Sequence, residues 1–154
     1  MRTLIKALLI TLALASQAFA ENHQVLMLNA ASNNSDHPNV FEPALLFIEP
    51  GDTVTFIATD PGHNSASWRG MLPEGAESWN GAIDEELTIE FTIPGIYGYV
   101  CSPHYTMGMV GLIVVGGDTS NLEDARRARH QGDARGAFRD LFEQLGAATG
   151  AESQ

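Results

Sequence analysis

The sequence has little of what would fix it to a membrane or build a disulfide framework. It contains one cysteine, Cys101, so no disulfide can form within the chain. Its longest apolar run lies near the N-terminus and is shorter than the about 20 residues that span a bilayer. Its one lysine, Lys6, lies in the same N-terminal segment. We therefore expect neither a transmembrane segment nor a disulfide-stapled fold.

Residues 1–20 have the pattern of a secretory signal peptide. Arg2 and Lys6 precede the apolar run, and Ala18-Phe19-Ala20 is a small-residue cleavage site. Cleavage after Ala20 predicts a mature chain of residues 21–154, exported to the periplasm. That length fits one domain, which we expect to be a monomer.

The predicted mature chain is strongly acidic. It retains six arginines and no lysine against 19 acidic residues, so its net charge is −13. Such a surface repels nucleic acid and anionic membranes. It also predicts a partner whose docking face is basic or largely apolar, because like charges slow the encounter.

Short segments rich in β-branched and aromatic residues, separated by Gly and Pro, cover about residues 24–117. This pattern predicts an all-β sandwich with Greek-key connections. The predicted strands are residues 25–29, 44–49, 52–60, 87–93, 96–100 and 110–115.

Two C-terminal α-helices are predicted over about residues 121–146. Ser120 and Glu123 have the capping-box pattern, which predicts a first helix from about Asn121 to His130. Asp133 can cap a second helix. Apolar side chains recur there at i, i+3, i+4 and i+7 and predict a face packed on the sandwich: Phe138, Leu141, Phe142 and Leu145.

Candidate metal ligands lie between the last two predicted strands. Cys101, His104 and Met109 place a thiolate, an imidazole and a thioether on one loop, a soft donor set that suits copper. A trigonal blue-copper site needs a second histidine, and His63, after the third predicted strand, has the suitable context. The remaining histidines are predicted to be solvated surface residues: His23, His37 and His130.

Three other chemistries fit the same residues less well. A cysteine hydrolase places Cys and His on separate elements at a cleft, whereas here they share one tight turn. Zinc would leave Met109 unexplained, because a thioether is a poor zinc ligand. A multicopper enzyme needs clustered histidine pairs, and the chain has five histidines with no H-x-H. The sequence thus favours a binding protein over an enzyme.

Several motifs resemble those of the pseudoazurins, a group of the cupredoxin family of type 1 blue copper proteins. The resemblance runs from about Val25 to Gly146. It is most specific in Phe41-Glu-Pro-Ala44, Gly51-Asp-Thr-Val-Thr-Phe-Ile57, Gly62-His-Asn64, Gly70-Met-Leu-Pro73, Gly75-Ala-Glu77, Cys101-Ser-Pro-His104 and Met109-Val-Gly111.

The resemblance implies a periplasmic one-electron carrier that is not an enzyme and holds one copper ion cycling between Cu(II) and Cu(I). It assigns the metal ligands to His63, Cys101, His104 and Met109. It also implies that the backbone N–H of Asn64 points at the ligand sulfur. Pro103 has no N–H, so the sulfur is expected to receive one donor fewer.

The resemblance further implies that His104 reaches the surface in an apolar patch with Pro103 and Met107, where redox proteins dock. A nitrite reductase or a c-type cytochrome, as in denitrification, would be such a partner. The lysines that usually surround this patch are absent, and the loop from Asn33 to Asn39 looks longer than usual. The alternative is a protein that buffers or delivers copper without shuttling electrons.

Overall fold

The computed structural model describes residues 20–150, so the predicted signal peptide, apart from Ala20, lies outside the described residues. Within them, β-strands form two sheets and two α-helices follow. The strands are β1 (Asn22–Ala31), β2 (Asn34–Glu42), β3 (Leu45–Ile48), β4 (Asp52–Ile57), β5 (Ala66–Ser67), β6 (Leu87–Phe91), β7 (Gly95–Val100) and β8 (Val110–Val115). The helices are α1 (Leu122–Arg127) and α2 (Ala134–Thr149), and a 3-10 turn spans Tyr105–Met107.

Each sheet has four strands. The first has the order β2-β1-β4-β6 and the second the order β3-β8-β7-β5. The β1–β4 and β3–β8 pairs are parallel, and the other pairs are antiparallel. The predicted fold class, a mostly β sandwich with two C-terminal helices, is confirmed.

The main core lies between the sheets, and strands β7 and β8 are buried on both faces. Tyr97 and Tyr99 face the first sheet and pack in one cluster with Val54 and Phe56 of β4. The alternate side chains, such as Ile96, belong to a second cluster under the helices. A strand covered on both faces reads as continuously apolar, which explains the sequence of β8.

The second cluster confirms the predicted packing face of α2. Its four side chains are at most 7% exposed and pack against Leu112 and Val114 of β8: Phe138, Leu141, Phe142 and Leu145. Within residues 20–150, no helix is long and apolar enough to cross a membrane.

The segment interpreted as a long polar loop, residues 33–39, is mostly strand. Residues 34–42 form β2, which pairs with β1 at the edge of the first sheet. Pro38 and the exposed polar side chains around it are tolerated because only one side of an edge strand must pair. An edge strand with few apolar residues carries no alternating pattern, which is why it was not predicted.

The predicted capping box is wrong. Asn121, not Ser120, occupies the N-cap of α1, and it makes no capping hydrogen bond. Its side-chain amide instead accepts from the N–H of Ile96 and donates to the Ile96 carbonyl, each at 2.8 Å, which ties α1 to β7.

Helix α1 ends at Arg127, so His130 lies in the connection to α2. Asp133 is the N-cap of α2, again without a side-chain capping bond.

Candidate metal centre

Three metal-ligating side chains meet where β4 and β7 end. His63 follows β4, while Cys101 and His104 follow β7. The sulfur of Cys101 lies 3.7 Å from Nδ1 of His63 and 3.4 Å from Nδ1 of His104, and the two nitrogens are 3.1 Å apart. A point equidistant from these atoms lies about 2.0 Å from each, close to a metal–imidazole bond length. The donor set and its spacing therefore fit one metal ion.

Asn29 of β1 fixes the His63 ring. Its side-chain oxygen, which can only accept, lies 3.0 Å from Nε2 of His63, so Nε2 carries the proton. The lone pair is then on Nδ1, the atom that faces Cys101 and His104. Burial, followed by the neighbouring His104, lowers the pKa of His63 against the opposing effect of Asp60 and Asp84. His63 is thus held neutral, with its ligand nitrogen directed at the site.

The Cys101 side chain is fully buried at the end of β7. Burial raises the pKa of its thiol, while hydrogen bonds from the backbone N–H groups of Asn64 and His104 oppose that rise. The orienting role of the Asn64 N–H remains a prediction, and the His104 N–H also donates to the Cys101 carbonyl at 3.2 Å. Since a thiol binds metal as the thiolate, occupancy of this site is coupled to loss of a proton.

The side chain of Asn64 joins the two segments that supply the ligands. Its oxygen accepts from the N–H of Ser102 at 2.7 Å, and its amide nitrogen donates to the carbonyl of Gly81 at 2.9 Å. The loop after β4 is thereby held against the loop after β7. Removal of this amide would release His63 and Cys101 from one another.

The loop between β7 and β8, which we call the ligand loop, presents one edge of the site to solvent. Cys101 and Met109 lie at its ends, both fully buried in the main core, and the Cys101 N–H donates to the Met109 carbonyl at 3.0 Å. Between them, His104 is partly exposed and Met107 is 49% exposed. Pro103 is also exposed, so the three residues assigned to the predicted apolar patch are all at least partly accessible to solvent.

Two histidines predicted to be surface residues are not. His23 is only 20% exposed and lies 2.9 Å from the Asp52 carboxylate. His130 Nδ1 shares a 3.2 Å hydrogen bond with the Tyr105 hydroxyl, and its ring packs on Phe138 with centroids 4.2 Å apart. The remaining one, His37, is exposed as predicted.

Asn29 and Tyr105 are the site residues that sequence reasoning missed. Asn29 lies in a strand far from the ligands in sequence, and nothing in the local pattern links it to His63. Tyr105 directly follows His104, and its hydroxyl also accepts from the N–H of Gln131 at 3.2 Å. That hydroxyl connects the ligand loop to the segment between the helices, a long-range contact that a motif cannot reveal.

Comparison with known proteins gives one consistent result. The family described as copper binding proteins, plastocyanin/azurin family, matches residues 28–116. Pseudoazurin from Paracoccus pantotrophus is 45% identical over 124 residues, which cover 80% of this chain and 83% of that protein. A solved Sinorhizobium pseudoazurin is 46% identical with a TM-score of 0.78, over 81% of this chain and 96% of that one. The pseudoazurin structure from Methylobacterium extorquens AM1 is 36% identical with a TM-score of 0.73, over 82% and 98%.

Proposed function

Because the chain belongs to the plastocyanin/azurin family of copper-binding proteins, and within it to the pseudoazurins, we propose that it is a periplasmic one-electron carrier. Copper is its metal, and we assign the ligands to His63, Cys101, His104 and Met109. The observation that supports this assignment most strongly is the triangle formed by Nδ1 of His63, Nδ1 of His104 and the Cys101 sulfur.

The chain's own residues keep the ligands in one arrangement. When bound, copper supplies the one-electron couple, and the protein supplies a rigid donor set for it. Asn29 orients His63, and Asn64 holds the two ligand-bearing loops together. Because these groups are held by strands and by buried hydrogen bonds, they need to move little between oxidation states, which favours rapid electron transfer.

The partly exposed edge of His104 is the proposed route for electrons. His63, Cys101 and Met109 are fully buried, so the His104 ring is the ligand nearest to solvent. The apolar patch of His104, Pro103 and Met107 would contact the redox partner there. Nitrite reductase or a c-type cytochrome is the proposed kind of partner, and the chain is proposed to act as a monomer.

A role in buffering or delivering copper is less well supported. Transfer of copper to another protein requires ligands that a competing protein can reach. Three of the four proposed ligands, His63, Cys101 and Met109, are fully buried. The Cys101 sulfur lies beneath the ligand loop, between β7 and β8. Slow metal exchange is the expected consequence, and it suits an electron carrier.

The visible spectrum of the oxidised, copper-loaded protein tests the proposal. A Cu(II)–thiolate bond of this geometry absorbs strongly, so the protein is expected to be intensely coloured and to bleach on reduction. The Cys101→Ser variant should lack the colour, and Met109→Gln should keep it at a lower potential. A colourless copper complex of the unmodified chain, or rapid loss of copper to a chelator, would contradict the electron-carrier proposal.

A further inference from the structure

The positive charge of the mature chain is concentrated in one segment. Five of the six arginines that follow residue 20 lie between positions 126 and 139, together with one acidic residue, Asp133. The other 18 acidic residues of the mature chain lie outside this segment. A net charge of −13 therefore hides a short basic segment, residues 126–139, with five arginines against one acid. Acidic residues flank it on both sides, so α1, α2 and the connection between them are neutral as a whole: Glu123, Asp124, Asp140 and Glu143.

These arginines surround a cavity of about 860 Å³, which we call the arginine groove. It is broad and opens to solvent between the end of α1 and the first turns of α2. Phe142 and the His130 ring contribute apolar and aromatic surface to its lining. The guanidinium groups that line it belong to Arg126, Arg129, Arg135 and Arg139. One carboxylate also lines it, that of Glu143, which lies 3.7 Å from Arg139.

Two of these guanidinium groups are not neutralised within the described part of the chain. The other two have acidic partners: Arg139 pairs with Asp140 at 2.7 Å, and Arg126 lies 3.9 Å from Glu123. Among residues 20–150, no carboxylate lies within 4.0 Å of Arg129 or Arg135. Arg135 makes only a 3.4 Å bond to the His130 carbonyl. In so acidic a protein, arginines left without partners are available to an external anion.

The size of the groove argues against a single small ion as its occupant. A water molecule takes about 30 Å³ of liquid volume, so the groove could hold on the order of 30 waters. An open groove also leaves a small anion largely hydrated, and surface ion pairs are then weak. Several carboxylates presented together, with an apolar side chain against the apolar lining, would use both the charge and the apolar surface of the groove.

We propose that the arginine groove binds an acidic segment of a partner protein, whose carboxylates pair with Arg129 and Arg135 and whose apolar anchor packs on the apolar lining of the groove. This binding site goes beyond the proposed electron-carrier function and does not depend on copper. The same groove accepts the segment whether or not the partner exchanges electrons.

The groove lies directly behind the ligand loop. His130 is hydrogen-bonded to the hydroxyl of Tyr105, the residue after His104. The Trp68 ring stacks on Tyr105 with centroids 4.3 Å apart. The His130 and Trp68 ring centroids are 5.6 Å apart. A segment seated in the groove would therefore be held beside the copper-site edge, and the Trp68 ring provides a spectroscopic reporter of its arrival.

The test uses the copper-loaded mature chain and a synthetic 12-residue peptide containing alternating Glu and Gly with one central Phe. We expect the peptide to bind by titration calorimetry at low ionic strength and to shift the Trp68 indole N–H resonance. Arg129→Ala and Arg135→Ala should each weaken binding by roughly fivefold. Arg127→Ala is the matched control, since Arg127 lies on α1, pairs with Asp124 at 3.0 Å and does not line the groove.

Comparison probes distinguish this occupant from others. The peptide with Gln in place of Glu, inorganic phosphate, and phosphatidylglycerol vesicles are expected to bind at least tenfold more weakly. Equal weakening by Arg127→Ala and Arg135→Ala would overturn the proposal, because it indicates a diffuse charge effect. Preferential binding of vesicles or phosphate, or no peptide binding, would also overturn it. A chain that binds the peptide but is colourless with copper would contradict only the electron-carrier function.

Discussion

Nδ1 of His63 and Nδ1 of His104 lie 3.1 Å apart, although the two residues are 41 positions apart and follow strands of different sheets. Neither loop alone brings them together. Asn29 turns the His63 ring from one side, and the 3-10 turn after His104 sets the other ring. The site is therefore a property of how the two sheets pack, and substitutions at its supporting residues should affect the metal without touching it.

Asn29→Ala removes the acceptor that fixes the His63 ring. Water can replace the lost hydrogen bond only partly, so the tautomer and orientation of the ring become less defined. We expect copper affinity to fall about tenfold, as is typical when a partner of a ligand is lost. Competition with a chelator measures this affinity. Asn22→Ala is the control. Asn22 lies on β1 like Asn29, but its side chain accepts from the hydroxyls of Thr53 and Thr55 on β4 and does not contact His63. Equal affinities for both variants would contradict the positioning role.

Met107→Lys tests the apolar patch as the docking surface. The side chain is 49% exposed, so a lysine there is tolerated but places a charge where the partner must exclude water. We expect the visible spectrum to be unchanged and the second-order rate constant for electron transfer with a c-type cytochrome to fall about tenfold.

Phe47→Lys provides the control for that experiment. Phe47 is 43% exposed and lies on β3, paired with Val114 near the end of β8 that is remote from Met109. The Phe47→Lys substitution adds the same charge as Met107→Lys, but Phe47 lies away from the apolar patch. A rate that falls equally in both variants would show that net charge, not docking at Met107, determines the encounter.

Asp52 gives a defined pH dependence of stability. Its carboxylate accepts from the backbone N–H of Glu21 at 2.8 Å, pairs with His23 at 2.9 Å and accepts from the N–H of Glu49 at 3.0 Å. These contacts, the Glu21 bond first, lower the pKa of Asp52 in the folded state. A carboxylate with a lowered pKa stabilises the folded state above about pH 4. This stabilisation is lost as the pH falls through the pKa of the folded state.

The Asp52→Asn variant should therefore be less stable than the unmodified chain by about 1–3 kcal/mol at about pH 6. The difference should shrink as the pH falls towards about 3, because the carboxylate becomes protonated. Denaturant unfolding at several pH values measures it, and the comparison between variants cancels the effects of acid on the metal site. A difference that stays constant over this range would show that shape rather than charge is responsible.

Gly111→Ala tests the packing behind the ligand loop. Gly111 faces Tyr99 across the β7–β8 pair, and an added Cβ would overlap the Tyr99 ring. That ring is fully buried between Phe41 and Phe56, so it cannot move aside. We expect a loss of about 3 kcal/mol, at the upper end of overpacking costs, measured by denaturant unfolding.

Gly136→Ala is the matched control. Gly136 lies in α2, and a Cβ added there would have no neighbouring atom within 4 Å, so a methyl group meets open space. The better helix propensity of alanine should leave stability unchanged or raise it by up to about 1 kcal/mol. If both substitutions were neutral, Tyr99 would be more mobile than its packing indicates.

The sequence predicted the parts of the molecule that are periodic or chemically unusual. The apolar strands and the stripe from Phe138 to Leu145 have spacings that only one secondary structure satisfies. The ligand loop was identifiable because Cys101, His104 and Met109 combine three uncommon donors within nine positions. Each of these signals is local, so one sequence suffices to find it.

The features that were missed depend on contacts between distant segments. The polar edge strand β2 is stabilised by pairing with β1, and nothing in its own pattern requires it. Ser120 has the residue types of a capping box, but the hydrogen bonds of Asn121 to β7 determine where α1 begins. His23 and His130 are half-buried because they contact Asp52 and Phe138, whose positions follow only from the fold.

The placement of the proposed ligands on both sheets has a mechanical consequence. His63 extends from the first sheet, and Cys101, 38 positions later in the chain, extends from the second. A metal ion bound to both side chains closes that stretch into a loop and removes conformational freedom from the unfolded chain. In a chain with a single cysteine, the ion would serve as the cross-link that a disulfide provides in many small extracellular domains. The copper-loaded protein would then resist unfolding more strongly the more tightly it binds the ion.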